Sequence, residues 1–391
     1  MELTKGQEQG LKIAVERFKN RDKFTVISGF AGSGKTTLVK YIVQALPGIN
    51  PEGDVCYATF TGKAAQVLLK KGNKNVSTLH KLLYESFPRP DGTFFRRPKP
   101  KLDYKIIVID EVSMVPQTMI DLLTRHQVYC LYLGDPFQLP PVDKDDANHL
   151  LDHPHVFLSE IMRQAQESEI IQLSMDIRGG RPIELRDGKE VKVYSVNDFS
   201  EGMLTWADQV LVATNATRIA LNNKMRDLLG RTGAPQEGDK VICLKNYWET
   251  MADFTGDPLV NGTIGTLQKP YSTFVNVPYY LGGGRFDVLC SNFIADNGSE
   301  FVGLNMDQKM ILTGDRCCDW KQAYKIAKSR PELLPKEFTY GYAITCHKAQ
   351  GSSWENVLVV EEKFPFDKEE HARWLYTAVT RAEEKLVLIR K

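Results

Sequence analysis

“GFAGSGKTT”, residues 29–37, is the stretch that decides the fold of this 391-residue chain. It matches the pattern G-x-x-x-x-G-K-[ST] and lies between a β-rich run, KFTVISG, and a run with helical spacing, KTTLVKYIVQAL. Glycines here let the backbone curl so that its N–H groups point inward at a phosphate, and the following helix adds its dipole. Lys35 is expected to reach the β and γ phosphates, and the Thr36 hydroxyl to ligate Mg²⁺. The nucleotide contacts predicted from this stretch are Gly29, Gly32, Ser33, Gly34, Lys35, Thr36 and Thr37.

Strand-like and helical runs alternate around this stretch. In the first third of the chain, the strand candidates DVCYATF, YKIIVIDE and VYCLYLGD are separated by helical runs. The apolar run in YKIIVIDE is typical of a strand buried on both faces of a parallel sheet. A second α/β unit begins after about residue 155, and its later strand candidates are FTYGYAIT, WENVLVVEE and KLVLIRK. The predicted fold class is therefore α/β, with two open parallel sheets covered by helices.

The segment from residue 236 to 318 has a different pattern. Short β-like runs dominate it, and they are punctuated by Asn261-Gly262 and by the glycines at 282–284. This pattern predicts a small β-barrel inserted into the second α/β unit.

Two adjacent carboxylates end the buried run YKIIVIDE. Asp110 is placed to meet Mg²⁺ through water, and Glu111 is placed to orient and deprotonate an attacking water. A strand end capped by two solvated acids is the structural alternative. Together with the glycine-rich loop, the carboxylates indicate a Mg²⁺-dependent nucleoside triphosphatase, and nothing more specific.

Three further side chains indicate how hydrolysis would be controlled. Gln138 lies in LGDPFQLPPV, Arg163 in LSEIMRQ and Arg381 in LYTAVTRA. A phosphate site open on one side needs positive charge at the transferring phosphoryl group. If Arg381 and Arg163 come from the second α/β unit, hydrolysis depends on closure of the two units. For an isolated arginine, a surface ion pair is the more ordinary role.

Composition narrows the class of protein. Hydrophobic residues make up 42% and charged residues 25% of the chain, with a formal net charge of +1. The low net charge argues against a protein that binds nucleic acid statically through a large basic surface. No run of 18 apolar residues occurs, so a membrane protein is not expected. Seven cysteines without a C-x-x-C pair predict free thiols and a cytoplasmic location.

The motifs together resemble superfamily 1 helicases of the RecD/Dda-like branch. The matching strings run in family order from about residue 3 to 386 and include GFAGSGKTT, TGKAAQVL, STLHKLL, VIDEVSM, LGDPFQLPPV, IMRQA, YAITCHKAQGSSWENVLVV and LYTAVTRA. The resemblance implies two RecA-like motor domains and ATP-driven movement on single-stranded DNA, 5′ to 3′ in this branch. It also implies boundaries: motor domain 1 at 1–155, with a pin hairpin at 84–102, and motor domain 2 at 156–235 and 319–391, with an SH3-like barrel at 236–318.

The resemblance also suggests roles for single residues. Gln7 is similar to the glutamine that reads adenine, while Gln350 and Gly351 lie on the nucleotide side of a loop whose other end touches DNA. That loop would couple ATP binding to the grip on the strand. The expected DNA contacts outside the pin are Thr61, Lys63, Thr78 and His80 in the first domain, and Thr345, His347 and Lys348 in the second.

The basic stretch ESFPRPDGTFFRRPKPK corresponds to the family's strand-separating pin. Asp91-Gly92 is a hairpin turn signal. The pin would stack aromatic rings on the last base pair and face phosphates with basic side chains. A flexible proline-rich loop is the alternative. The residues assigned to the pin contacts are Phe94, Phe95, Arg96 and Arg97.

Two further features leave alternatives open. Phe60 stands where the family usually has proline; its ring either stacks on a base or fills the core, and the alternation in CYATF favours the core slightly. The predicted barrel either guides DNA or serves as a spacer.

Three functions fit the sequence: a helicase acting on single-stranded DNA and duplex junctions, a translocase that strips proteins, and a nucleotide-controlled binding module. Arg381 argues against the binding module, and a hairpin pin would favour the helicase. The expected state is a monomer in bacterial or phage-infected cytoplasm, with a single-strand-binding protein or replisome component as partner.

Overall fold

The structure is a computed structural model that divides into two compact units. It describes residues 3–88, 94–140, 144–162, 166–253 and 257–391. The first unit comprises residues 1–83, 98–215 and 345–391, and the second comprises residues 84–97 and 216–344. The first unit therefore contains most of both predicted motor domains, and the second contains residues 84–97 of the predicted pin and the whole predicted barrel segment.

The first sheet of the first unit is parallel and carries the glycine-rich loop. In spatial order, its described strands are Val76–Thr78, Val55–Thr59, Ile106–Ile109, Tyr129–Gly134, Phe24–Gly29 and Val156–Leu158. The helices that accompany it are Lys5–Lys19, Lys35–Ala45, Gly62–Lys70, Leu79–Leu83 and Gln117–Thr124. Apolar side chains of the first two helices and the central strands form one buried core. This core fixes the strand ends from which the loop and the carboxylates project.

A second sheet in the first unit is also largely parallel. Its strands within this unit are, in order, Gln209–Val212, Trp354–Val360, Ala382–Arg390, Val191–Ser195 and Arg186–Asp187, the last antiparallel. Its helices are Glu169–Arg178, Glu201–Trp206, Cys346–Ala349 and Lys368–Val379. The predicted α/β class with parallel sheets is confirmed.

The second unit is built on an antiparallel sheet. Its strands are, in order, Glu300–Asp307, Arg285–Ala295, Ile264–Asn276, Lys240–Cys243 and Phe338–Tyr340. Two-stranded ribbons pair Tyr247–Met251 with Pro258–Leu259, and Tyr84–Pro88 with Phe94–Pro98. Helices Gln308–Thr313 and Trp320–Ser329 belong to this unit, helix Asn215–Leu228 begins at its boundary, and strand Ala343–Thr345 contains the other boundary.

One strand prediction was wrong. FTYGYAIT was expected to be a single strand of the second α/β unit, but it divides at Gly341 into Phe338–Tyr340 and Ala343–Thr345. Phe338–Tyr340 pairs with Lys240–Cys243 of the antiparallel sheet, so that sheet extends beyond residue 318. A Cβ on Gly341 would lie 3.0 Å from the Val241 carbonyl carbon, and this close approach of two backbones marks the break.

Two simpler expectations can be compared with the structure. The seven cysteines are free thiols, as predicted. Within the described ranges, every helix falls short of the length and apolar character that a bilayer crossing requires.

The core of the first sheet should dominate the stability of its unit. Leu131 is fully buried in a central strand, whereas Leu69 is 48% exposed. We expect Leu131→Ala to lower the free energy of unfolding by about 3 kcal/mol, because it leaves a cavity in packed surroundings. The matched control, Leu69→Ala, should change it by less than about 0.5 kcal/mol. Urea unfolding followed by circular dichroism measures both; equal losses would contradict this account of the core.

Candidate nucleotide-binding and hydrolysis site

The glycine-rich loop has the backbone shape that a phosphate cradle needs. Gly32 and Gly34 have φ angles of +77° and +78°, a region that favours glycine. A Cβ on Gly29 would lie 2.6 Å from the Ser33 hydroxyl and 2.9 Å from the Leu158 carbonyl oxygen. The loop therefore tolerates no larger side chain at Gly29, and it leads directly into helix Lys35–Ala45.

The predicted phosphate ligands gather at this helix start. The Lys35 ammonium donates hydrogen bonds to the carbonyls of Gly29 at 2.7 Å and Phe30 at 3.1 Å, so it folds over the loop. The Ser33 hydroxyl is buried and lacks a hydrogen-bond partner in the described part of the chain. Thr36 is the second residue of the helix and is exposed, and the next residue, Thr37, is half-buried.

The residues expected to hold Mg²⁺ are of the chemical type that the ion prefers. Thr36 and Asp110 both line one small cavity, whose other lining residues include the apolar Val39, Leu68 and Leu133. Across the described ranges, no cluster of three or more His, Cys, Asp or Glu residues could hold a metal by itself. A hydroxyl and a carboxylate suit Mg²⁺, which usually completes its shell with phosphates and waters.

Both acids at the end of strand Ile106–Ile109 are half-buried. The backbone N–H of Glu111 donates to Asp110 Oδ1 at 2.9 Å, and Glu111 has a left-handed backbone with φ of +55°. Burial raises the pKa of Asp110, while this hydrogen bond and the Lys35 charge oppose the rise. Burial also raises the pKa of Glu111, and the Arg381 charge opposes it. A carboxylate with a raised pKa is a better general base at neutral pH than an exposed one.

Gln138 connects Glu111 to Arg381. Its amide orientation is assigned from the hydrogen-bond network. In the orientation that satisfies both neighbours, its amide nitrogen donates to Glu111 Oε2 at 2.7 Å and its amide oxygen accepts from Arg381 Nη2 at 3.3 Å. Arg381 is only 6% exposed, and its other nitrogens donate to the Thr377 and Ser352 carbonyls. The guanidinium thus faces Gln138 and not solvent.

The loop 345–352 reaches the same region from the second sheet. The Gln350 amide donates to the Leu139 carbonyl at 2.8 Å. Gly351 has φ of +73°, and a Cβ there would lie 3.1 Å from the Thr61 hydroxyl and 3.0 Å from Ala64 Cβ. One short segment therefore contacts the turn beside Gln138 and the start of helix Gly62–Lys70.

Two functional candidates escaped the sequence analysis. The Tyr376 hydroxyl accepts a hydrogen bond from the Ala31 N–H of the glycine-rich loop at 2.9 Å and donates to Asp135 Oδ2 at 2.5 Å. Both Tyr376 and Asp135 lie in strings that the sequence analysis quoted, LYTAVTRA and LGDPFQLPPV. The strings were the available signal, but they do not reveal which side chains face the loop.

Gln7, which is expected to read adenine, lies against the glycine-rich loop. It is fully buried, and its amide nitrogen donates to the Gly34 carbonyl at 3.3 Å. Its amide oxygen accepts from the Thr4 N–H at 3.0 Å, which completes a capping box at the start of helix Lys5–Lys19.

Several residues expected on DNA have structural partners in the first unit. Thr61 and Thr78 accept hydrogen bonds from backbone N–H groups three residues ahead. The Lys63 ammonium lies 4.5 Å from the centre of the Trp354 ring. The half-buried Phe60 ring lies 5.6 Å from the His80 ring, which leaves both of its alternatives open.

The remaining predicted contacts are spread over both units. Thr345 precedes helix Cys346–Ala349, in which Lys348 is exposed and burial lowers the pKa of His347. Arg97 is exposed and lies 3.9 Å from the Glu85 carboxylate. Arg163 and the side chains of Phe94, Phe95 and Arg96 lie outside the described residues.

Comparison with known proteins defines the family. The model of the AAA domain matches residues 2–199, and that of the UvrD-like helicase C-terminal domain matches residues 340–389. The ATP-dependent RecD2 DNA helicase of Deinococcus radiodurans is 26% identical, over 93% of this chain and 46% of its own length. The ATP-dependent DNA helicase Dda of Enterobacteria phage T4 is 29% identical, over 69% of this chain and 62% of its own length. This chain therefore spans about half the length of these two relatives.

A solved structure shows the same fold. Bacteroides Pif1 bound to ssDNA matches with a TM-score of 0.54 at 19% identity, covering 99% of this chain and 92% of that one. The chain belongs to the AAA-domain family, and with its UvrD-like C-terminal match it is a superfamily 1 helicase relative of the RecD/Dda-like branch, as its motifs predicted.

The shape of the glycine-rich loop predicts a specific defect. Gly29→Ala should weaken binding of a fluorescent ATP analogue by about tenfold, because the new methyl group must displace the Leu158 backbone. Gly202→Ala is the matched control: its Cβ would find no atom closer than 4.0 Å, and nucleotide affinity should not change. Unchanged affinity in a folded Gly29→Ala protein would contradict the cradle assignment.

Proposed function

We propose that this protein is an ATP-dependent DNA helicase that translocates on single-stranded DNA, 5′ to 3′, and unwinds duplex DNA by closing two RecA-like domains on Mg-ATP. One observation carries the proposal: Gln138 bridges the Glu111 carboxylate of the first sheet and the buried Arg381 guanidinium that follows helix Lys368–Val379. The proposed base, Glu111, and the cation, Arg381, accompany different sheets, so they come together only when the two sheets approach each other. A binding module has no need for this arrangement.

In this mechanism, each side chain has a distinct task. Lys35 would hold the phosphates, and Thr36 and Asp110 would hold Mg²⁺. Glu111 takes a proton from the attacking water, which Gln138 orients. Arg381, with Arg163 as a second proposed donor, stabilises charge on the transferring phosphoryl group. Mg²⁺ itself would neutralise charge on the phosphate oxygens.

The residues proposed to bind single-stranded DNA outside the pin lie in the first unit. Thr61, Thr78 and His80 would contact the strand on one side, and the segment Thr345–Lys348 on the other. The close packing of Gly351 on Thr61 supports a direct mechanical link between these two groups. Lys63 would have to leave the Trp354 ring to bind a phosphate. Bacteroides Pif1, which shares the fold, is described as bound to ssDNA, and this supports the same ligand class here.

Strand separation is proposed for the hairpin of the second unit. Strands Tyr84–Pro88 and Phe94–Pro98 pair as expected of a pin. This pairing favours unwinding over translocation alone. RecD2 and Dda, which are named DNA helicases, support the same activity.

Arg381 should be required for turnover and not for nucleotide binding. We expect Arg381→Ala to bind a fluorescent ADP analogue normally and to lose at least about 10²-fold in DNA-stimulated ATPase kcat, because charge on the phosphoryl group is no longer stabilised. Arg181→Ala, which removes an exposed ion pair with Asp176, is the control and should keep full turnover. Retained stimulation in Arg381→Ala would remove it from the site.

The pin should matter for unwinding more than for ATPase. We expect the double substitution Phe94→Ala and Phe95→Ala to slow unwinding of a 5′-tailed duplex by about tenfold while single-strand-stimulated ATPase stays within about twofold, since stacking is lost only at the junction. Parallel reactions on 3′-tailed duplexes test the proposed polarity. Equal loss of both activities would count against a wedge.

A further inference from the structure

A tyrosine hydroxyl joins the glycine-rich loop to the turn that carries Gln138. Tyr376 comes from helix Lys368–Val379 and is 1% exposed. Its hydroxyl accepts from the Ala31 N–H at 2.9 Å and donates to Asp135 Oδ2 at 2.5 Å. One oxygen therefore contacts two loops that lie more than 100 residues apart in the chain.

Asp135 in turn shapes the segment that presents Gln138. Its Oδ1 accepts from the Phe137 N–H at 2.9 Å, and its carbonyl accepts from the Gln138 N–H at 3.3 Å. The Phe137 ring packs edge-on against the Tyr376 ring, with centroids 5.2 Å apart. A shift of Tyr376 must therefore move the turn on which the Gln138 amide depends.

The hydrogen bond between Tyr376 and Asp135 is costly to remove because the carboxylate is buried. Asp135 is buried, and the Tyr376 hydroxyl and the Phe137 N–H each satisfy one of its carboxylate oxygens. Burial and the Asp135 carboxylate raise the pKa of Tyr376, so its hydroxyl stays protonated and continues to donate at neutral pH. A buried carboxylate that loses one partner is left with an unsatisfied oxygen, which is destabilising.

We propose that Tyr376 is a positioning residue, whose hydroxyl transmits the state of the glycine-rich loop through Asp135 to Gln138. This inference rests on the proposed ATPase function and adds to it a route by which the loop controls the water-orienting amide. The hydroxyl contacts the loop backbone at Ala31 and not the predicted phosphate ligands Lys35 and Thr36. Its loss should therefore affect the chemical step more than nucleotide affinity.

The test is Tyr376→Phe, which keeps the ring and removes only the hydroxyl. We expect DNA-stimulated kcat to fall by about tenfold, while the KM for ATP and the affinity for a fluorescent ADP analogue stay within about twofold. Tyr129→Phe is the matched control. It also removes a buried hydroxyl, which bonds to Thr25 at 2.6 Å and to the Ala14 carbonyl at 3.1 Å, but it lies in the core. It should lower the melting temperature and leave kcat unchanged.

A second readout is independent of turnover. In the nucleotide-free protein, amide hydrogen exchange at Ala31 should be at least about tenfold faster in Tyr376→Phe than in the unmodified chain, because the amide loses its acceptor. In the double variant Tyr376→Phe with Asp135→Asn, kcat should fall no further than in the more affected single variant, because both substitutions disrupt the same hydrogen bond.

The outcomes separate the inference from the proposed function. An unmodified chain without DNA-stimulated turnover would overturn the proposed function. Normal turnover in the unmodified chain, combined with an unchanged kcat or unchanged Ala31 exchange in Tyr376→Phe, would overturn only the role of Tyr376. A parallel rise in KM and fall in kcat, or additive losses in the double variant, would also overturn it.

Discussion

The structure depends most on the contact of Gln138 with Glu111 and Arg381. A carboxylate that is partly removed from water is costly unless a hydrogen bond or an opposite charge compensates it, and the half-buried Glu111 receives both through this contact. The largest opposing charge comes from Arg381, which follows the last long helix, and Lys35 of the first sheet's own loop adds a smaller one. The electrostatic environment of Glu111 therefore depends on residues that accompany both sheets.

Around this contact, the backbone of the glycine-rich loop is held by protein groups. Lys35 bonds to two loop carbonyls, Gln7 to a third, and Tyr376 takes the Ala31 amide. A phosphate would find the loop already in its curled shape. Such preorganisation lowers the cost of binding, because the loop does not need to be ordered first.

The loop 345–352 connects the turn beside Gln138 with the residues proposed to bind DNA. Gln350 contacts the turn beside Gln138, and the next residue, Gly351, packs on Thr61. Gly351 lies where added bulk is excluded, and Gln350 is 5% exposed, so the segment has little room to move independently of its neighbours. Coupling of this kind needs two discrete arrangements of a rigid element, which a short, tightly packed loop can provide.

Much of this protein is determined by local sequence. The alternating runs predicted both parallel sheets, and the spacing of Gly29, Lys35 and Thr36 predicted a loop between a strand and a helix, because backbone periodicity and glycine conformation act over short distances. Local signals failed at FTYGYAIT, where Gly341 divides one apparent strand between two sheets. Only the tertiary structure decided which side chains of the shared strings meet: Tyr376 reaches Ala31 across 345 residues and Thr377 reaches Leu139 across 238. Such contacts arise when helices pack on sheets, and no local pattern encodes which face of a motif that packing turns inward.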